Sequence, residues 1–243
     1  MISFIKHVAR SFGFEIRRFN PDVSEAAQFM RQLAVHKVNL VVDVGANVGQ
    51  FGRKNLRDAG YQHRIVSFEP LSAAWSRLTS EAAGDARWTI APRMAIGAEN
   101  SEIDIHIAQN SVSSSILDML PEHLQSAPES AYVATERVPL RRLDSVVPEY
   151  LAPDSRIFLK IDTQGFEGPA LMGAEGILDR VVGIQLELSL VPLYAGQNLY
   201  DEMIRRLEQA GFDLWAISTA FVNVKSGRTL QIDATFFRNC RET

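Results

Sequence analysis

Four carboxylates stand at or near the ends of short apolar runs, and their placement is the first chemistry the sequence offers. Asp43 follows Asn39-Leu40-Val41-Val42, Glu69 closes Arg64-Ile65-Val66-Ser67-Phe68, Asp162 closes Ile157-Phe158-Leu159-Lys160-Ile161, and Glu187 lies within Val182–Leu188. Apolar, β-branched runs of this length read as strands buried on both faces. In an open parallel sheet, ligands bind beyond the carboxyl ends of the strands, so the four carboxylates would share one rim. After the first run comes Gly45-Ala46-Asn47-Val48-Gly49, a tight turn whose glycines let a ligand approach the backbone. Its Gly-x-x-x-Gly spacing differs from the dinucleotide pattern, and no triphosphate cradle is present. Glu69 lies 24 residues after Gly45, near the roughly 20 at which an acid meets ribose hydroxyls. Together they point to a nucleoside-containing ligand.

The elements that must position these residues alternate along the chain. Helical stretches are expected through Phe51 and Leu56 to Gly60, from Pro70-Leu71-Ser72 through Leu78, around Ala170 to Leu178, and over Asp201 to Ala210 before Gly211. Trp88 to Ile96 reads as one strand, and Glu102 to Ala108 as another with period-2 alternation. Residues 109–135, with clustered serines and with Pro121 and Pro128, read as an irregular insertion of the kind that forms lids. Phe212 to Ser218 and Leu230 to Phe237 are strands with no helix between them, hence a terminal antiparallel hairpin. The pattern predicts an α/β fold, a mostly parallel sheet with helices on both faces. It divides into an N-terminal helical segment, 1–38, and a single domain, 39–243.

Composition narrows the classes. The chain has 243 residues, 25 Lys+Arg against 29 Asp+Glu, and a single cysteine, Cys240. That excludes an intramolecular disulfide framework and multi-cysteine metal sites, and an acidic chain is not expected to bind nucleic acid. With no apolar run long enough to cross a bilayer and no secretory signal, it reads as soluble and cytoplasmic.

Asp43-Val44-Gly45-Ala46-Asn47-Val48-Gly49, then Phe68-Glu69-Pro70, then Lys160-Ile161-Asp162-Thr163-Gln164-Gly165-Phe166-Glu167 resembles the FkbM family of class I S-adenosylmethionine-dependent methyltransferases. The likeness runs from about Val41 to Phe237. Many relatives carry Glu where this chain has Gln164. The resemblance implies a seven-stranded Rossmann-like sheet with a reversed last strand, and O-methylation, often of a sugar hydroxyl in an oligosaccharide, glycolipid or glycosylated natural product. It further implies that the turn at Gly45, Ala46, Asn47 and Gly49, with Asp43 beneath, receives the amino-acid end of the methyl donor. Glu69 beside Pro70 would take the ribose hydroxyls, Ala95 and Ile96 would lie along the adenine, and Asp162 would sit by the sulfonium methyl.

A sugar hydroxyl needs a general base or a metal to lower its pKa. Asp162 is the first candidate for either role, and Glu187 and Glu167 complete an oxygen-rich set suited to magnesium. Each has a plainer alternative: Asp162 as a helix cap, Glu167 as a capping-box partner, Glu187 as an ion-pair partner. His106, on the alternating strand beside the serine loop, is a second candidate base, and His123 lies in the expected lid. Among Ser113, Ser114 and Ser115, Ser115 is read as a donor contact, with capping before Ile116 as the alternative.

At the N-terminus, Ile2, Ile5, Val8, Phe12, Ile16 and Phe19 fall at helical spacing opposite Lys6, Arg10, Arg17 and Arg18. Such a stripe packs on the core, forms a homodimer, or lies on an anionic membrane, and Gly13 interrupts it. Rival functions are a nicotinamide-dependent oxidoreductase and a non-catalytic nucleoside-binding module.

Overall fold

The computed structural model describes residues 2–14, 16 and 20–238. Helix α1 (Ile2–Ser11) stops where Gly13 turns left-handed at φ +81°. Among its described side chains, Ile5 and Val8 are exposed. Phe4 is 72% and Phe12 75% exposed; Arg17, Arg18 and Phe19, which continue the expected stripe, lie outside the described residues, as does Cys240. Helix α2 (Glu25–Val35) packs on the core. The Ser24 hydroxyl accepts from the Ala27 N–H at its start, Leu33 is buried, and the Phe29 ring meets Phe158 edge-on at 5.1 Å.

Strand β1 (Leu40–Val44) is buried along its whole length, as its apolar run requires. The next helix is wound wide, as a π-helical turn over Phe51–Arg57, with the Asp58 N–H reaching the Arg53 carbonyl. Strand β2 (Arg64–Phe68), helix α3 (Ser72–Ala82) and strand β3 (Trp88–Ile90) follow. The run from Trp88 to Ile96 is two strands rather than one. Pro92 lies in the break, where a residue without an N–H cannot continue a ladder, and β4 (Ala95–Ile96) belongs to a second sheet.

That second sheet has the order β4-β6-β5, from β5 (Ser101–Ala108) and β6 (Tyr132–Arg141), the latter after a short helix α4 (Pro121–Ser126). The irregular insertion is therefore shorter than expected, since β6 begins at Tyr132. Glu136, Arg137 and Pro139 obscure its pattern, but antiparallel pairing with β5 (Ile105 opposite Glu136, Asp104 opposite Arg137) fixes it. Helix α5 (Leu143–Val146) leads on to β7 (Ile157–Ile161).

Helix α6 (Glu167–Met172) is shorter than the stretch expected to Leu178, because the α-helix ends at Gly173 and a 3-10 helix over Glu175–Arg180 follows. A side chain at Gly173 would collide with the Gly97 carbonyl oxygen. Strand β8 (Val181–Ser189), helix α7 (Tyr200–Gln209), β9 (Phe212–Val222) and β10 (Thr229–Arg238) complete the chain.

The main sheet has seven strands in the order β3-β2-β1-β7-β8-β10-β9. Strands β1, β2, β3, β7 and β8 are mutually parallel, and β10 runs antiparallel to both of its neighbours. This is the Rossmann-like methyltransferase sheet with its reversed strand. One face packs on the larger apolar core around Val42, Leu159 and Ile184. The other carries Val41, Phe158 and Phe237 against α2, and becomes polar toward the carboxyl ends. Among the described residues no helix is long and apolar enough to cross a membrane.

Candidate active site

The chain turns sharply at the end of β1. Gly45 and Ala46 both donate their N–H to the Phe68 carbonyl at 3.0 Å, and Gly45 has φ +78°. A Cβ at Gly45 would collide with the Asp162 carbonyl oxygen, so the backbones of β1 and β7 meet there because nothing projects. Asn47 is also left-handed, at φ +48°, with its Oδ1 accepting from the Val48 N–H. Glu69 closes the turn from the neighbouring strand: Oε2 accepts from Asn47 N at 2.8 Å and Oε1 from Leu71 N at 2.9 Å. Burial pushes its carboxyl up to about 7 against those two hydrogen bonds.

These residues open onto a cavity of about 820 Å³, within the range of small-molecule sites. Of the anticipated donor contacts, Gly45, Ala46, Asn47, Glu69, Pro70, Ala95, Ile96, Ser115 and Asp162 all line it. Asp43 and Gly49 do not. Asp43 is fully buried beneath the turn, and Gly49 backs onto Leu78 and Trp88.

Behind the rim lies a charge cluster. Lys160 on β7 faces Asp43 across the register, with Nζ 3.5 Å from Asp43 Oδ1 and 3.3 Å from Asp162 Oδ2. Burial disfavours the ammonium, but Asp162 and Asp43 outweigh it and raise its pKa. Asp43 is itself raised by burial, and the Ser67 hydroxyl donates to its Oδ2.

Asp162 and Glu187 are linked by Gln164, whose Nε2 donates to Asp162 Oδ1 at 3.0 Å and to Glu187 Oε2 at 2.6 Å. Gln231 Nε2 donates to the same Glu187 oxygen at 2.9 Å. No described group donates to Glu187 Oε1, and Glu187 lines the cavity. Burial, then the nearby Asp162, holds the Glu187 carboxyl well above the usual range.

The expected magnesium site is not assembled. Glu167 Oε1 turns back to accept from the N–H groups of Thr163 and Gly165, the capping alternative, and burial pushes its carboxyl up to about 7. The Gln164 amide stands between the other two carboxylates. Among the described residues no three His, Cys, Asp or Glu side chains are grouped to hold a metal.

His106 is also placed elsewhere. It stacks on Tyr132 at 4.7 Å, its Nε2 is 3.4 Å from Asp118, and it is absent from the cavity wall, which its neighbour Ile105 lines. The two point to opposite faces of β5 because side chains alternate along a strand. His123 does reach the wall, held neutral because burial lowers its pKa to about 4. The serines knit the insertion: Ser113 joins Asn110 and Ser130, Ser114 accepts from Ala108 N, and the Ser115 hydroxyl donates to the Gln164 carbonyl at 2.6 Å.

A polar trough continues from the rim across β8, β10 and β9, roofed by Gln28 and Gln32 of α2. Gln185 sits beside Lys160 in register and opposite Thr235; Glu187 sits opposite Asp233, which sits opposite Ser218. Burial pushes the Asp233 carboxyl up to about 6. None of these but Glu187 was singled out in the sequence. Their signal was alternation, since Gln231, Asp233 and Thr235 fall two apart in an otherwise apolar run.

The fold and this rim can be set beside known proteins. No curated protein matches the chain. Magnesium protoporphyrin IX methyltransferase from Synechocystis PCC 6803 with bound SAM is 10% identical over 98% of this chain and 96% of that one, with a TM-score of 0.47. The same enzyme with bound SAH is 9% identical over 98% and 100%, with a TM-score of 0.49. An rRNA methylase from Streptococcus thermophilus is 10% identical over 89% and 98%, with a TM-score of 0.45. Likenesses at such identities concern the fold alone. The family model described as "Methyltransferase FkbM domain" matches residues 43–214, from the carboxylate at the end of β1 into β9. The chain belongs to the FkbM family of methyltransferases and is an S-adenosylmethionine-dependent enzyme.

Proposed function

We propose that this methyltransferase transfers its methyl group to a hydroxyl of a sugar, free or within a glycoside or glycolipid. The observation that carries the reading is the row of amides, hydroxyls and carboxylates in the wall beside the rim, Gln185, Gln231, Asp233, Thr235 and Ser218, set among apolar Phe29, Ile217 and Phe221. A polyhydroxylated ring both donates and accepts, and such a wall answers both needs.

The chain's own groups fit the donor. The turn at Gly45 is a cradle that a Cβ would fill, and Glu69 is an acidic acceptor at the end of β2. The family's donor supplies a methyl group already activated on a positive sulfur. Asn47 and Gly45 would hold its amino-acid end, and Glu69 would accept from the ribose hydroxyls. Ala95 and Ile96 would flank the base, and Asp162, 3.3 Å from the Lys160 ammonium, would stand near the sulfonium. The trough would orient one acceptor hydroxyl, and alignment of this kind contributes several kcal/mol, up to about 7–11 in ideal cases.

Incubation with S-adenosylmethionine and a panel of glycosides, flavonoids, amines and RNA, read by mass spectrometry, tests the reading. A methyl ether on a sugar hydroxyl is the expected product. Methylation confined to nitrogen, sulfur or RNA would overturn it.

A further inference from the structure

Gln164 stands where the donor rim meets the trough, in a backbone conformation that a residue with a side chain seldom takes. Its φ is +52°, and such a conformation persists only where the surroundings enforce it. The Ser115 hydroxyl holds its carbonyl at 2.6 Å, and the Tyr194 hydroxyl donates to Oε1 at 2.9 Å. The amide nitrogen faces Asp162 and Glu187. Two carboxylates fix which end of the amide is nitrogen, because the flipped amide would set oxygen against oxygen.

Two carboxylates that converge on one point can be joined by a hard divalent cation, which takes oxygen ligands, or by a shared proton. Here the convergence point is taken, with Nε2 at 3.0 Å from Asp162 Oδ1 and 2.6 Å from Glu187 Oε2. The other Asp162 oxygen is held by Lys160, and Glu187 Oε2 also by Gln231. That leaves Glu187 Oε1 as the oxygen of the pair with no described donor, on a residue that lines the cavity.

We propose that the Gln164 amide takes the place a divalent cation would occupy between Asp162 and Glu187, so that transfer runs without a metal and Glu187 Oε1 receives the acceptor's proton. The inference rests on the hydroxyl-acceptor reading above. The acceptor oxygen forms its bond to the methyl carbon as the carbon–sulfur bond breaks. The bonding pair leaves on sulfur, and the hydroxyl proton passes to Glu187. Gln164 touches no reacting atom. It is a positioning residue that fixes the two carboxylates.

Titration of Mg2+ and of Mn2+ into wild type and Gln164→Glu, each first shown to bind S-adenosylhomocysteine, reads the metal claim without any acceptor. The expected result is a saturable site in the variant at least about tenfold tighter than anything in wild type, and wild-type transfer to a glycoside unaffected by EDTA. Saturable binding by wild type that Asp162→Asn removes would overturn the proposal, as would EDTA-sensitive transfer restored by Mg2+. So would a variant that binds S-adenosylhomocysteine and gains no metal site.

Should Gln164→Glu fail to fold, Gln164→Met keeps the length without the donors. It should hold S-adenosylhomocysteine within about threefold while transfer falls by roughly 100-fold, and a Met variant as active as wild type would overturn the proposal. Wild type that binds neither metal and methylates only non-hydroxyl acceptors would support the metal claim while overturning the sugar reading and, with it, the proton role of Glu187.

Discussion

The rim and the trough are built by different means. At the rim the work is done by main chain: left-handed Gly45 and Asn47, paired N–H groups on the Phe68 carbonyl, and a close approach to β7 that forbids a side chain. In the trough the work is done by side chains in neighbouring register across four strands, from Lys160 through Gln185 and Thr235, and from Glu187 through Asp233 to Ser218. A main-chain site tolerates little change and serves one ligand well. A side-chain wall can be rewritten one residue at a time while the sheet stays intact, which is where a family with one donor can diversify its acceptors.

The sharpest way to test this division is Glu187→Gln. Methyl transfer should fall by about 10²–10⁴-fold, the usual worth of a general base, while calorimetry finds S-adenosylhomocysteine affinity unchanged; a parallel loss of both would merge the two regions. Gly45→Ala should do the reverse. The collision with the Asp162 carbonyl and the positive φ predict a loss of S-adenosylhomocysteine affinity of at least roughly 100-fold, about 3 kcal/mol, with a lowered Tm.

Glu69→Ala should weaken that binding by about 10–100-fold, as expected when a charged hydrogen-bond acceptor is removed. The pH dependence has a definite sign. The Glu69 carboxyl in the folded chain sits at about 7 against 4.5 ordinarily, so its contribution to stability is lost as pH rises through 7. A ribose hydroxyl donates to the ionised form, so affinity should rise over that same interval and become flat in Glu69→Gln. The smallest effect belongs to the trough wall. Thr235→Val removes one hydroxyl and should raise the acceptor KM only several-fold, about 1 kcal/mol, leaving donor binding untouched.

The same division explains what could be read from the chain. Turn geometry lives in contiguous residues, so Asp43 to Gly49 and Phe68-Glu69-Pro70 showed both the strand ends and the rim. The buried strands β1, β2, β7 and β8 were legible for a similar reason, since a run buried on both faces is apolar without interruption. The trough depends on which strand lies beside which. Nothing local says that β10 inserts between β8 and β9, and only that order brings Asp233 opposite both Glu187 and Ser218.

Glu167 and Asp162 look alike as acids after the same strand, and only the path of the loop turns one inward and the other to the cavity. His106 lies off the cavity wall by a single position of strand phase, since Ile105 beside it lines the cavity. The break at Pro92 carried its signal openly, whereas β6 hid behind charged residues that face outward.

The ring of Trp88 on β3 lies against Gly52 in the π-wound turn, so closely that any side chain at Gly52 would overlap it. Its Nε1 donates to the Ser67 hydroxyl at 3.0 Å, and that hydroxyl in turn donates to Asp43. The two positions are therefore not free to drift separately. A larger residue at 52 is admissible only after the indole has been replaced, and replacing the indole strips Ser67 of the donor that orients it toward the buried carboxylate. Substitution at this corner therefore has an order, and sequences descended from this one that keep Trp88 should keep Gly52.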